Sequence, residues 1–304
     1  MNGILPLWKE RGMTSHDCVF QLRKILKMKR VGHTGTLDPE VDGVLPICLG
    51  PATKAAEFMT DMGKAYSGEI TLGIATTTED AHGEIIEQLS VRKDISNEEI
   101  DCCMKSFVGE ITQIPPMYSA VKVNGKRLYE YARNGEEVER PKRTAQIYSF
   151  NRTSNPKYNE KNQTVSWKFV VACGKGTYVR TLAVDLGKKI GYPAHMSQLT
   201  RMKSGPFEQT NCYTLAQVRE LAESNQVSSI LEPIDLIFEE LPSFSLNDSL
   251  WSRVKNGAVI EADAFPGMEE INLIAFHYNN NLVALYENHP GREGFKKPRK
   301  MFLS

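Results

Sequence analysis

Two segments of alternating apolar residues, set among segments with helical spacing, constrain the fold of this chain most. Every second residue is apolar between positions 164 and 173, and a shorter set follows the same rule between 66 and 75: Val165, Trp167, Phe169, Val171 and Cys173, then Ile70, Leu72 and Ile74. Alternation with a period of two places such side chains on one face of a β-strand. Tyr66 shares the parity of the shorter set, so we expect its ring to point toward the core.

Sequence segments typical of helices lie between these strands and on either side of them. Apolar residues recur at three-to-four-residue spacing in several segments, each preceded by a side chain that can cap a helix. The predicted caps are Thr14 or Ser15, Ser96 (in a capping box with Glu99), Thr177 and Thr214. The chain is therefore predicted to combine helices with strands.

The charge of the 304 residues is balanced, with 37 Lys+Arg against 37 Asp+Glu. With 41% apolar and 24% charged residues, the chain is expected to bury a substantial core. Net charge gives no sign of an anionic partner, so any nucleic-acid surface must be a local patch. One cluster of basic residues lies at the end of the first predicted helix: Arg23, Lys24, Lys27, Lys29 and Arg30. The helix dipole favours cations there, but an RNA-facing patch accounts for the number of charges equally well.

Motifs that are absent narrow the class of protein. The N-terminus has no basic stretch before an apolar one, and no run approaches about 18 apolar residues, so we expect a cytoplasmic protein that does not span a membrane. The six cysteines lack CxxC spacing, which predicts small buried thiols in a reducing compartment. The six histidines show no metal-ligand spacing, and we expect no metal.

The segment from Gly32 to Pro39, followed by Gly43-Val44-Leu45-Pro46, contains the first candidate catalytic residue, Asp38. Its glycines allow tight turns and close approach to a ligand, and Pro39 pushes Asp38 toward an extended conformation. Asp38 is then either a rigidly held nucleophile or base, or a turn-forming aspartate. We interpret the whole span 31–50, rich in Gly and Pro, as a loop.

A second informative segment runs from Gly174 to Thr181 and contains Arg180. Arg180 falls in the first turn of a predicted helix, where the positive end of the dipole disfavours a cation. We therefore expect a phosphate or a carboxylate beside it, and Asp38 is the natural candidate for a bidentate pair. The Gly-Lys-Gly sequence lacks the spacing of a nucleotide-binding loop.

The region between Lys122 and Arg143 is predicted to bind RNA. Asn124-Gly125 indicates a tight hairpin, and seven basic residues with two interleaved tyrosines suit phosphates and base stacking. Glutamates in the same region leave a solvated polar insertion as the alternative.

Beyond Pro242 the pattern indicates a small β-rich unit, with strands at 271–278 and 282–287 and a boundary between 238 and 245. Its last segment carries cations suited to phosphate contacts: Arg292, Lys296, Lys297, Arg299 and Lys300.

Five motifs in order resemble those of the TruB family of pseudouridine synthases, over roughly residues 1 to 235. They are Gly32–Pro39, Lys64-Ala65-Tyr66 leading to Leu72-Gly73, Pro115-Pro116 with Ser119–Lys122 and Gly125, Gly176–Thr181, and Ala194-His195-Met196 leading to Leu199-Thr200-Arg201 and Gly205-Pro206-Phe207. Five ordered motifs are far harder to obtain by chance than one.

The resemblance implies an α+β fold: a catalytic domain (residues 1–240) with a central antiparallel or mixed sheet flanked by helices, and a small β-rich PUA-like RNA-binding domain (241–304). The catalytic domain would carry an RNA-binding insertion at about 111–145. The implied substrate is the T-loop uridine at position 55 of tRNA, flipped out of its stack. No cofactor is implied, because the reaction is an isomerisation.

The resemblance also assigns roles to residues. Asp38 would break the C1′–N1 bond, as a nucleophile at C1′ or as a base at C2′; Tyr66 would remove the C5 proton, and Arg180 would pair with Asp38. Tyr178 would line the uracil pocket and His33 would contact the displaced loop of the RNA. The substrate-binding set is His33, Gly35, Lys64, Asp80, Lys122 and Tyr178, although a turn role for Asp80 is an equal alternative.

One departure from the family pattern lies beside the catalytic motif, where Glu40-Val41-Asp42 replaces a Leu-Ala-Thr type sequence. Two additional negative charges there are expected to alter RNA binding more than chemistry. Two other functions compete: a non-catalytic tRNA-binding or folding protein, and a phosphate-handling transferase. We expect a monomer that needs no protein partner.

Overall fold

The computed structural model describes residues 1–303, which divide into two compact units. The first unit contains residues 1–40, 44–60 and those from 205 onward, and the second contains 41–43 and 61–204. The helices are α1 Ser15–Ile25, α2 Ala56–Asp61, α3 Asn97–Lys105, α4 Leu128–Asn134, α5 Val179–Ile190, α6 Leu215–Glu223 and α7 Asp248–Val254.

The strands follow the chain from the N-terminus. They are β1 Gly3–Lys9, β2 Val31–His33, β3 Asp42–Leu49, β4 Lys64–Leu72, β5 Ile74–Thr76, β6 Ile85–Gln88, β7 Gly109–Gln113, β8 Lys122–Val123, β9 Lys126–Arg127, β10 Arg143–Arg152, β11 Lys157–Asn159, β12 Thr164–Cys173, β13 Ala194–Ser204, β14 Phe207–Glu208, β15 Ser243–Ser245, β16 Ile260–Glu261, β17 Leu273–Tyr278, β18 Asn281–Asn288 and β19 Phe295–Met301. The predicted α+β class, with a central sheet flanked by helices and a β-rich C-terminal part, is confirmed.

The second unit is built around β4, which pairs antiparallel with β12 on one side and β13 on the other. Beyond β12 follow β10 and then β7, both antiparallel to their neighbours. Trp167 and Phe169 of β12 are buried, and Tyr66 of β4 is only 8% exposed. The alternation in the sequence therefore predicted β12, most of β4 and the inward direction of Tyr66. The predicted strand over 66–75 is too long, because the chain turns at Gly73 (φ +104°) and Ile74 begins β5, which pairs with β6 in a separate sheet. Helix α5 packs against β13, and α3 against β10.

The start of β3 also belongs to the second unit and makes its sheet mixed. Asp42 and Gly43 pair in parallel with Thr200 and Arg201 of β13. Gly43 has φ +129°, and a Cβ atom at this position would collide with the backbone of Arg201. Only glycine allows the two strands to approach this closely.

The rest of β3 lies in the first unit and corrects the prediction of a loop over 31–50. Residues 44–49 of β3 are all buried, and β2 pairs antiparallel with them through Val31 and Leu49. Only residues 34–41 are irregular. The prediction was wrong because a strand buried on both faces shows no alternation, and Pro46 and the flanking glycines imitate a loop.

The C-terminal part of the first unit is a separate five-stranded sheet in the order β15-β17-β18-β19-β16. It has its own hydrophobic core, in which Phe265, Phe276 and Tyr286 pack closely. The two predicted strands correspond to β17 and β18. The other three were not predicted, because β15 and β16 are too short for a pattern and β19 is dominated by cations.

Most predicted caps are present. Thr14 accepts from Asp17 and Thr214 from Gln217, each in a capping box. Ser96 accepts from the backbone of Glu99, but the predicted capping box is incomplete, because the Glu99 carboxylate pairs with Arg92. Thr177 is the exception: Tyr178 is the N-cap of α5, and the Thr177 hydroxyl donates to Gly174 instead.

Two further predictions need correction. The hairpin predicted at Asn124-Gly125 forms, but its second strand, expected to span 126–129, ends at Arg127, where the unpredicted helix α4 begins. Cys102 is exposed, so it is not one of the buried thiols that the sequence predicted.

Candidate active site

Asp38 lies in the irregular segment between β2 and β3, in the part of it (34–40) that belongs to the first unit. Thr34 is fully buried, and both its N–H and its hydroxyl donate to the carbonyl of Pro46, at 3.2 and 3.1 Å. Gly35 donates its N–H to Nδ1 of His33 at 3.3 Å. Because Nδ1 is the acceptor, the proton of a neutral His33 ring lies on Nε2, which becomes a hydrogen-bond donor. The first half of the segment is thus fixed by hydrogen bonds.

Asp38 itself is half-buried and is held through both of its neighbours. The backbone N–H of Leu37 donates to Oγ of Ser15 at 2.8 Å, and the Ser15 hydroxyl lies 3.3 Å from the Leu37 carbonyl. The Pro39 carbonyl accepts from Lys9 Nζ at 3.1 Å and from the N–H of Gly12 at 2.9 Å. The end of β1, the start of α1 and the connection between them therefore hold the peptide on each side of the carboxylate.

Lys9 is fully buried at the end of β1. Its ammonium group donates to three carbonyls, those of Glu10, Met13 and Pro39, at 3.0, 2.7 and 3.1 Å. Three acceptors match the three protons of an ammonium ion, which offsets the cost of removing this charge from water. Lys9 and Ser15 were missed as site residues; the one signal was a lysine ending the apolar run of residues 4–8.

The second unit holds Tyr66 on β4, opposite Val171 of β12 and Arg201 of β13. Lys64 lies two residues away, and its Nζ donates to the carbonyl of Met62 at 2.9 Å. Burial, with the nearby charge of Arg201, lowers the pKa of Lys64 to about 8. Lys64, which the sequence analysis predicts to bind the substrate, therefore gives up its proton more easily than an ordinary lysine.

Arg180 lies in the first turn of α5 and is 7% exposed. Its guanidinium donates from Nη1 to the carbonyl of Thr78 and from Nη2 to that of Tyr118, both at 2.9 Å. The planar guanidinium donates in fixed directions, so Arg180 links the segment after β5 to the segment after β7. Its predicted pairing with Asp38 stays a prediction.

A carboxylate that the sequence analysis missed, Glu79, also lies at this helix start. Its Oε2 accepts from the Thr181 hydroxyl at 2.7 Å, and its φ of +64° is unusual for a residue other than glycine. Burial raises the pKa of Glu79, while the bond from Thr181 and the charge of Arg180 oppose that rise. No sequence pattern indicates this residue, because Glu79 belongs to a turn without periodicity.

Tyr178 is positioned by a reciprocal pair of bonds with the buried Gln113. The Tyr178 N–H donates to Gln113 Oε1 at 3.0 Å, and Gln113 Nε2 donates to the Tyr178 carbonyl at 3.1 Å. This exchange satisfies an amide that is 1% exposed and fixes the entry into α5.

Asp80 and Lys122 are two further residues of the predicted substrate-binding set. Asp80 Oδ1 accepts from the Thr78 hydroxyl at 2.6 Å and from the N–H of His82 at 2.9 Å, so a turn role is present. Lys122 is exposed on β8.

The Asp42 carboxylate, one of the two additional charges after Pro39, accepts from the Thr200 hydroxyl at 2.6 Å. This hydrogen bond adds a side-chain contact between β3 and β13, which also pair through their backbones. Glu40, by contrast, is exposed.

Within residues 1–303 no group of three or more His, Cys, Asp or Glu side chains is arranged to hold a metal ion. In the same range, no helix has both the length and the apolar character needed to cross a membrane.

The family models that match the chain define its class: it is a pseudouridylate synthase, an RNA-modifying isomerase. The family model of the TruB pseudouridylate synthase N-terminal domain matches residues 23–179, and that of the tRNA pseudouridylate synthase B C-terminal domain matches 180–239. The chain belongs to the TruB family of pseudouridylate synthases.

Curated relatives match along the whole chain. The tRNA pseudouridine synthase B of Bacillus pumilus is 53% identical, covering 99% of this chain and 97% of its own length. The corresponding proteins of Latilactobacillus sakei and Listeria welshimeri are 50% and 52% identical and are covered over 98% of their lengths.

Two solved structures are also similar. One chain of a Cbf5-Nop10-Gar1 complex superposes with a TM-score of 0.74 at 29% identity, covering 99% of this chain and 85% of that one. A chain of an H/ACA RNP bound to a substrate RNA containing 2′-deoxyuridine gives a TM-score of 0.72 at 26% identity, with coverages of 99% and 85%.

Proposed function

We propose that this protein converts the T-loop uridine at position 55 of tRNA into pseudouridine after flipping it from its stack. Family membership and relatives that carry the name tRNA pseudouridine synthase B over the full length support this assignment. The observation that carries it is the clamp on both neighbours of Asp38, because a nucleophile or base needs a fixed position relative to the sugar.

The proposed reaction breaks the C1′–N1 bond, turns the freed uracil and joins C1′ to C5. Asp38 acts on the sugar, as a nucleophile at C1′ or as a base at C2′, and Tyr66 takes the proton that C5 loses. Nothing is oxidised or hydrolysed, so the reaction needs no cofactor. Pairing of Arg180 with Asp38 belongs to the same proposal, and so do uracil contacts by Tyr178.

RNA contacts complete the proposal. His33 offers Nε2 as a donor toward the displaced loop, and Gly35, Lys64, Asp80 and Lys122 contact the substrate. Residues 1–240 form the catalytic domain with the insertion at about 111–145, and 241–304 form the PUA-like RNA-binding domain. The separate hydrophobic core of the C-terminal sheet supports that division.

The cations of the C-terminal strand contribute less to RNA binding than their number in the sequence indicated. Lys296 is fully buried and donates to the carbonyls of Glu269 and Ile271 and to Asn288, so the expectation of a phosphate contact was wrong for this residue. Lys297 pairs with Glu287 at 3.0 Å, and Lys300 with Glu57 at 2.7 Å.

We further propose that the protein acts as a monomer in the bacterial cytoplasm, where its substrate is found. The decisive experiment maps pseudouridine in tRNA before and after incubation with purified protein. Release of tritium from tRNA labelled at uridine C5 separates catalysis from binding, because a tRNA-binding protein leaves that proton in place. Turnover in the presence of a chelator and without nucleotide excludes a phosphate-handling transferase.

A further inference from the structure

We propose that the end of α1 is a binding surface for the sugar–phosphate backbone of the tRNA substrate, with Phe20 as a stacking platform. We call this surface the α1 patch and define it by Phe20, Lys24, Lys27, Lys29 and Arg30. The identity of the RNA as tRNA rests on the proposed function; the surface itself is argued from its charge and shape.

The cations of the α1 patch are exposed, and within residues 1–303 none of the four forms an ion pair with a carboxylate. Other surface lysines of the protein do: Lys93 pairs with Glu160 and Lys126 with Glu136, both at 2.7 Å. In a chain with equal numbers of acidic and basic residues, a group of unpaired cations is a local positive field. Such a field attracts a polyanion.

The helix dipole does not explain the whole cluster. It favours Arg23 and Lys24 in the last turn of α1, but Lys27, Lys29 and Arg30 lie beyond the helix end, where the effect fades. Lys27 has φ +51°, a conformation in which glycine is usual at this position of a helix end. Arg23 has a structural task, since its Nη2 donates to the Val31 carbonyl at 3.1 Å and anchors the segment.

The shape of the α1 patch suits a nucleotide. Phe20 is 52% exposed, and Lys24, one helical turn later, places Nζ 4.3 Å from the centre of the ring. The two side chains border a shallow depression of about 350 Å³ that Lys27, Met28 and Lys29 also line. An exposed aromatic ring beside ammonium groups can stack on a base or ribose while the cations contact phosphates.

The α1 patch also lies next to the candidate catalytic loop along the chain. Arg30 directly precedes β2, whose three extended residues lead to Thr34, and its carbonyl is held by the N–H of Gly50 at 2.9 Å. At about 3.3 Å per strand residue, the basic segment ends roughly 10 Å from the loop that presents Asp38. RNA engaged by that loop therefore has its neighbouring backbone within reach of the α1 patch.

The test is equilibrium binding of full-length tRNA to the triple variant Lys24→Gln, Lys27→Gln and Lys29→Gln across a salt series. We expect the dissociation constant to rise at least tenfold at low salt. The slope of log affinity against log salt should fall by roughly 2 to 3, because each lost phosphate contact removes about 0.7 to 0.9. The single-turnover rate at saturating enzyme should stay unchanged.

The matched control removes the same charge elsewhere. Lys157, Lys161 and Lys168 are exposed lysines of the second unit, and changing all three to Gln should leave the salt slope unchanged. The proposal is overturned if wild type and the α1 triple variant have the same slope of log affinity against log salt. It is also overturned if both triple variants lose the same amount of tRNA affinity. Melting temperatures establish that each variant is folded.

Phe20 separates stacking from charge. Phe20→Ala should weaken tRNA binding several-fold with an unaltered salt slope, whereas Phe20→Trp should retain binding. Unchanged affinity in Phe20→Ala removes the stacking part of the proposal. A second result would overturn the proposal. If wild type binds vesicles rich in anionic lipid, and the triple variant loses that binding but keeps its affinity for tRNA, the α1 patch is a membrane-binding surface.

Failure of this proposal and failure of the proposed function give different results. If the α1 patch does not bind RNA, wild type still forms pseudouridine, and the triple variant binds tRNA with the salt dependence of wild type. If the protein forms no pseudouridine, the triple variant still reports whether the surface binds RNA.

Discussion

The Ser15 side chain lies 2.8 Å from the backbone nitrogen of Leu37 and accepts its hydrogen immediately before Asp38. The same hydroxyl approaches the Leu37 carbonyl at 3.3 Å, and both residues are buried. With Lys9 on the carbonyl of Pro39, the peptide of the candidate catalytic residue is held at each side by the β1–α1 connection. These contacts convert a Gly- and Pro-rich segment into a rigid support.

Ser15→Ala is expected to slow catalysis more than it weakens binding. The change leaves a buried N–H without its acceptor, which costs about 1–3 kcal/mol locally, and it loosens the backbone before Asp38. A displacement of about 1 Å at a reacting group can reduce the rate by about 100-fold, so we expect a 10- to 100-fold lower single-turnover rate. The dissociation constant for tRNA should change less than threefold.

Ser224→Ala is the matched control, because that hydroxyl also bonds only to backbone groups but is exposed at the end of α6. It should behave as wild type in both assays. A Ser15→Ala enzyme with the wild-type rate contradicts a positioning role for the clamp.

Asp38→Asn is expected to abolish turnover while tRNA binding is retained. The amide keeps the shape of the side chain but cannot act as an ionised nucleophile or base. Tritium release from C5 and a filter-binding assay measure the two properties on the same RNA. Measurable isomerisation by the variant places the reacting group elsewhere.

The longest strands and helices of the second unit were predictable from the sequence where their faces differ in polarity. Period-two alternation in 164–173 predicted β12, and the alternation between 66 and 75 predicted most of β4 and the inward direction of Tyr66. Residues 44–49 could not be recognised as a strand, because burial on both faces removes the alternation. Helix α4 was missed since a hairpin signal ends directly where it begins.

The residues of the candidate site could be predicted only where they lie within a recognisable sequence motif. Asp38, Tyr66 and Arg180 follow from sequence segments, whereas Lys9 and Ser15 act on that loop through hydrogen bonds formed 22 to 30 residues along the chain. Glu79 was missed for the same reason: its partner Thr181 is 102 residues away. No local pattern encodes contacts of that separation.

The two negative charges after Pro39 are expected to behave differently. Asp42→Ala removes the acceptor of the Thr200 hydroxyl and should lower the free energy of unfolding by about 1–2 kcal/mol, with little effect on tRNA affinity. Glu40→Gln removes an exposed charge and should tighten tRNA binding at low salt. Urea unfolding and tRNA binding on both variants distinguish them; a reversed pattern contradicts this assignment.

Lys64→Met is expected to stabilise the protein at neutral pH while it weakens substrate binding. Burial lowers the pKa of Lys64 in the folded protein to about 8, below its ordinary value of 10.5, so the folded state carries this charge at a cost. The cost is at most about 3 kcal/mol and is fully present below pH 8, where both states are protonated. Between pH 8 and 10.5 the unfolded chain binds more protons, so wild-type stability rises with pH.

The stability advantage of Lys64→Met should therefore be largest at pH 7 and shrink steadily toward pH 10. Urea unfolding of both proteins at several pH values within this range measures it. Lys157→Met, at an exposed position, should show no such trend. An advantage that stays constant with pH would mean that Lys64 is not destabilised by its surroundings. If the stabilised variant also binds tRNA more weakly, Lys64 contributes to substrate binding although it lowers the free energy of unfolding.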